Sequence, residues 1–162
     1  MSYRCVICGQ THDDLPDLGA QYPDLWYAIP EAERASRLQL TSDTCIVDGE
    51  TFLIRGVIEI PLTDEPEVFG FGAWVSQKKE NFYTYLANFD SDQIGPFFGW
   101  LCTNIRYYEG GTEHLKTMAH FRSGNKRPKI ILEPTDHPLA VDQREGIRLA
   151  KAWEMLHFYG VK

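Results

Sequence analysis

Two cysteines separated by two residues and followed by glycine stand near the start of the chain, in Cys5-Val6-Ile7-Cys8-Gly9-Gln10-Thr11-His12. Two thiolates at this spacing can grip one metal ion, and the glycine allows the turn to fold back so that backbone N–H groups point at sulfur. Such a knuckle is half of a zinc site. A second Cys-x-x-Cys is absent, so the remaining ligands must come from elsewhere: His12 lies close enough to swing back, and Cys45 opens the strand expected after the first helix. Cys5, Cys8, His12 and Cys45 would form a closed tetrahedral site of the structural kind, which fastens the arm and leaves no vacancy for a reacting water. The rival chemistry is a thioredoxin-like redox pair. That pair sits at a helix N-terminus after a strand, whereas residues 9–19 carry turn residues: Asp13, Asp14, Pro16, Asp17 and Gly19.

A second group with chemical potential is Asp136-His137 at a helix start, near Glu133 and Arg127, with Arg55 inside a strand. A histidine there can act as general base or anion ligand, and an enzyme site gathering Arg55, His137 and nearby carboxylates is the alternative to a binding domain. The bland use is capping, with Asp136 as N-cap and Pro138 in the first turn. Whether His137 faces a cleft or is spent on the cap separates the two. Arg55 inside a sheet is expected to fork onto a carboxylate. Arg34 and Arg37 share a helix face and pair with local glutamates or form an anion fork. His114 and His120 share a strand face but lie about 20 Å apart, too far to chelate one ion. No nucleophile elbow, phosphate loop or dinucleotide fingerprint occurs, and Asp90–Pro96 lacks the closing glutamate of a calcium loop.

These residues need a scaffold, and 162 residues with 43% apolar and 13% aromatic content suffice for one domain, residues 1–162, with 1–19 as an arm within it. The formal net charge of -7 and the lack of any basic run longer than Lys78-Lys79 argue against nucleic acid as a partner. No apolar run approaches the roughly 20 residues that span a bilayer and no signal-peptide core is visible, so a cytoplasmic protein with no membrane partner and reduced cysteines is expected. Aromatics on the surface leave a homodimer open.

Periodicity predicts a helix within 30–40, a hairpin of Thr44–Val47 and Thr51–Ile60 turning at Asp48-Gly49, and a strand over Val68–Ser76. A helix over Lys79–Phe89 would bury Phe82, Tyr85, Leu86 and Phe89; strands follow over Phe97–Thr103, His114–Phe121 and Pro128–Glu133. A final helix would run from about Pro138 to Tyr159. The fold class expected is α+β: a mainly antiparallel sheet of about five or six strands, a long C-terminal helix and shorter helices packed on it, and the cysteine arm at an edge.

With these segments in place the chain resembles a bacterial family known only as domain of unknown function 2199. The resemblance rests on Cys5-x-x-Cys8-Gly9-x-x-His12, Pro23-Asp24-x-Trp26, Arg34-Ala35-Ser36-Arg37, Ser42-Asp43-x-Cys45, Arg55-Gly56, Gly72-x-Trp74-Val75-Ser76, Phe98-Gly99-Trp100-Leu101, Arg127-Pro128 and His137-Pro138-Leu139-Ala140. These spread over nearly the whole chain and imply a complete family member. They imply no activity.

Overall fold

The computed structural model describes residues 2–162. In chain order the elements are β1 (Tyr3–Arg4), β2 (Thr11–His12), β3 (Leu18–Gly19), α1 (Asp24–Ala28), α2 (Glu31–Arg37), β4 (Leu38–Leu40), β5 (Thr44–Val47), β6 (Thr51–Pro61), β7 (Val68–Gln77), α3 (Lys79–Ala87), β8 (Phe97–Trp100), β9 (Lys116–His120), β10 (Lys129–Leu132), α4 (Pro138–Glu145) and α5 (Leu149–Phe158). Among the described residues no helix is long and apolar enough to cross a membrane.

The backbone of the fold is the β6–β7 hairpin, paired without interruption from Phe52↔Gln77 to Pro61↔Val68. Its alternation divides two cores. Phe52, Ile54, Ile58 and Ile60 of β6, with Phe69, Phe71, Ala73 and Val75 of β7, join the main core with α5. Leu53 and Trp74 point the other way, into a small core with Ile29, Cys45 and Val47. Each such side chain removed from water contributes about 1.5–3 kcal/mol, so the period-two pattern fixes which face is which. Three residues, Asp48–Glu50, connect β5 to β6; Glu50 N–H donates to Val47 O at 3.0 Å, and the two residues inside that tight turn, Asp48 and Gly49, both have positive φ, 52° and 67°, which Asp-Gly accommodates.

The α+β class holds, but the sheet is mixed and larger than expected. It has eight strands, in the order β3-β7-β6-β10-β9-β8, with β5 paired along β6 and β4 along β5. Two pairings are parallel: β3 with β7 and β10 with β6. Beyond β8 the chain returns to β7 through a Leu101–Val75 bridge, and Cys102 N–H donates to Trp74 O at 2.8 Å, so the sheet curls back on itself. The two glycines on one face of β7 seat the arm: a Cβ on Gly72 would stand 3.2 Å from Gly19 Cα, and one on Gly70 would strike the Asp17 carboxylate. That carboxylate accepts from Gly70 N–H at 3.0 Å.

The expected long final helix is two helices. Gly146 has φ 83° and ψ 169°, a conformation only glycine adopts without strain, and it ends α4. Ile147 then forms a parallel bridge to Leu62, donating to Pro61 O and accepting from Thr63 N–H. Two sheet-type hydrogen bonds outcompete helix continuation at a glycine. The second helix restarts with Asp64 supplying the acceptor for Leu149 N–H. Buried Asp142 of α4 ties the pair together, accepting from Lys151 Nζ of α5 and from Tyr108 Oη, each at 2.7 Å. Helix α3 also departs from expectation: Phe82 and Tyr85 are buried, but Leu86 and Phe89 remain exposed.

Candidate metal centre

The arm is a small antiparallel hairpin, Tyr3 opposite His12 and Arg4 opposite Thr11, whose connecting loop carries the cysteines. Cys5 N–H donates to Gln10 O and Gly9 N–H donates to Cys5 O, closing the knuckle, with Gly9 at φ 72°. This tight return is what the glycine after the second cysteine makes possible. It turns Cys5 inward, almost fully buried, and leaves Cys8 at the surface.

Opposite the knuckle lies α5. Its apolar face of Leu149, Ala152, Trp153, Met155 and Leu156 packs into the main core, and His157 follows Trp153 by one helical turn. Cys5 Sγ is 3.2 Å from His157 Nε2, and Cys8 Sγ is 3.3 Å from His12 Nε2. Ligand atoms of all four residues lie within 4.8 Å of one another, and no other group of three or more His, Cys, Asp or Glu residues is gathered this way among the described residues. In a tetrahedron of Zn–S bonds of about 2.3 Å and Zn–N bonds of about 2.0 Å the edges are about 3.6 Å. The two sulfur–nitrogen separations, 3.2 and 3.3 Å, are slightly shorter than such an edge, and the widest donor separation allowed by the 4.8 Å limit would close by about 1 Å around one ion.

The histidines are braced. The His12 ring stacks on Trp153 at 3.6 Å between centroids and 16° between planes, and His157 lies 5.7 Å from the same indole. Burial pushes the Cys5 thiol up, yet the backbone N–H groups of Cys8 and Ile7, with His157 and Cys8 side chains, outweigh it and bring it down to about 7. A thiol poised this way gives up its proton readily to a metal.

Cys45 does not belong to the group. It is fully buried in the small core with Leu53 and Trp74, paired with Leu53 across the β5–β6 ladder, and burial pushes its thiol up to about 11. It behaves as a small apolar side chain. The fourth member of the group is His157. The sequence carries only a weak signal for it, a histidine one turn after a tryptophan on an apolar helix stripe.

The two residues named for the alternative site make separate contacts. His137, rather than Asp136, caps α4: its Nδ1 accepts from Leu139 N–H at 3.1 Å, which leaves Nε2 to donate to Gly111 O at 2.9 Å. Both ring nitrogens are spent. Arg55 donates Nη1 to Ser42 O at 3.3 Å and leaves Nε buried without a partner, while the Asp43 carboxylate accepts a single bond from Arg127 Nε at 2.9 Å. Arg55 and His137 have no hydrogen-bond partner in common among the described residues. Arg37 pairs with Glu33 and Asp48. Arg34 lies 3.5 Å over the Trp26 ring and donates to the Trp26 and Ile29 carbonyls, pinning α1 to α2.

Residues 4–147 match the model of a family described as an uncharacterized protein conserved in bacteria, DUF2199. The chain belongs to this family. The matched stretch holds Cys5, Cys8 and His12 and ends before Trp153 and His157. No curated protein and no solved structure matches the chain.

Proposed function

We propose that Cys5, Cys8, His12 and His157 hold one structural zinc ion, and that this DUF2199 protein is a non-catalytic binding domain whose N-terminal arm the ion fastens to the last helix. The observation that carries the reading is the gathering of two sulfurs and two imidazole nitrogens, from opposite ends of the chain, within 4.8 Å. Thiolate and imidazole are the donors zinc favours. Four protein ligands fill a tetrahedron and leave no open position for water, which separates a staple from a catalytic zinc. The binding role is supported by apolar side chains that the arm holds at the surface: Val6 and Ile7, between the two cysteines, are 85% and 53% exposed. An ordered knuckle presenting two aliphatic side chains suits contact with a protein surface.

Elemental analysis of protein purified without added zinc tests this. About one equivalent of zinc is expected, falling below about a tenth in the Cys5→Ser, Cys8→Ser double variant. A parent protein holding less than about a tenth of an equivalent of any transition metal would refute the proposal.

A further inference from the structure

A separate cleft of about 620 Å³ opens where the chain leaves the arm. Its walls include Tyr22, Asp24 and Tyr27 around α1, Arg106 and Glu113 from the long β8–β9 connection, and Tyr159 just past α5. We propose that this cleft binds a small zwitterion of the amino-acid class, its ammonium held by Asp24 and Glu113 and its carboxylate by Arg106, with the tyrosines around its body.

The charges in the cleft are unspent. Among the described residues neither Asp24, Glu113 nor Arg106 takes part in an ion pair, although seven others are formed elsewhere. Asp24 Oδ2 accepts from Asn104 N–H at 2.8 Å, which fixes its direction, and its remaining capacity meets the Glu113 carboxyl. Burial first, and Glu113 second, push Asp24 up to about 6. Two adjacent carboxyl groups resist ionising together, and a cation placed between them removes that conflict.

The cation is an organic one. A bare magnesium or calcium ion needs about six to eight oxygens, and these carboxyl groups belong to no group of three or more acidic or metal-binding residues. An ammonium needs few acceptors and gains from aromatic faces. Tyr22 and Tyr27 meet edge to face at 6.2 Å, with Tyr22 stacked on Trp26 at 4.1 Å, so this wall is held in place from behind. Arg106, exposed and 5.9 Å from the Tyr159 ring, would repel a ligand that is only cationic. A ligand with its own carboxylate turns that repulsion into a charge-assisted hydrogen bond. The cleft shares no residue with the metal centre, so its reading stands independently of zinc.

Calorimetric titration of the full chain near neutral pH with the common L-amino acids, each paired with the amine lacking its carboxylate (phenethylamine for phenylalanine, agmatine for arginine), tests the proposal. At least one amino acid is expected to bind with Kd of about 1 mM or tighter, and its amine about tenfold more weakly. Asp24→Asn, which keeps an acceptor for Asn104, and Glu113→Gln, at an exposed position, should each weaken binding about tenfold, and Arg106→Met should erase the preference over the amine. Absence of binding by any amino acid up to about 10 mM would overturn the proposal. So would amine and amino acid binding alike, or affinity unchanged in Glu113→Gln, a variant whose folding is checked by its melting temperature.

Discussion

His12, on the second strand of the N-terminal hairpin, lies face to face with Trp153 of the last helix, ring centroids 3.6 Å apart. Trp153 also sets the turn of helix on which His157 approaches Cys5. The indole is thus the platform on which the candidate ligands from both ends of the chain converge, and it is itself only 2% exposed. Trp153→Ala should cost about 3–5 kcal/mol from lost packing and also release the metal, because both histidines lose their backing. Chemical denaturation alongside zinc analysis checks both effects.

Loss of the ion alone should be milder, since the main core is built without it. The Cys5→Ser, Cys8→Ser variant should remain folded but lose about 3–4 kcal/mol, near 10 °C in melting temperature. Limited proteolysis should then cut the arm first, within residues 5–19, while the β6–β7 hairpin stays protected.

The break between α4 and α5 places a firm demand on one residue. A Cβ on Gly146 would stand 2.8 Å from Pro61 O, at a φ of 83° that side chains rarely adopt. Gly146→Ala should therefore destabilise by about 2–3 kcal/mol, although alanine is the better helix former. A stabilised variant would mean that the two helices can fuse.

Asp24 gives the chain a pH dependence whose sign follows from its environment. Its folded value of about 6 lies above the ordinary 3.8, so the native state holds this proton more tightly than the unfolded chain. The stabilisation is complete below about 3.8 and is lost as pH rises through about 6. Because the group is partly solvated, screening leaves about 1 kcal/mol of effect. Glu113→Gln relieves the neighbouring charge, so its melting temperature should equal the parent's near pH 4 and exceed it by about 2–4 °C above pH 7.

The parts of this fold legible in the sequence are those governed by local rules. Asp48-Gly49 dictated a hairpin, and alternation along Phe52–Ile60 and Phe69–Val75 separated the two core faces correctly. Cys5, Cys8 and His12 stand together in the four-residue group, as their closeness in sequence suggests. Long-range choices were not legible. The parallel pairings of β3 and β10 depend on where distant segments dock, which periodicity does not encode. Gly146 sat inside a helical pattern, and only the partners Pro61 and Thr63 turn it into a break. Cys45 and His157 illustrate the same limit at the candidate site. Sequence nearness to a strand start favoured Cys45, whereas the packing of α5 against the arm brings His157, far along the chain, to the sulfur of Cys5.

The identity of the fourth ligand is therefore the point on which the account turns, and cobalt substitution reads it directly. Cobalt-loaded parent protein should show the visible d–d bands of a tetrahedral site with thiolate charge transfer. Cys45→Ala should keep that spectrum unchanged, and His157→Ala should lose or shift it while weakening metal affinity about a hundredfold. A spectrum retained in His157→Ala and lost in Cys45→Ala would contradict the account.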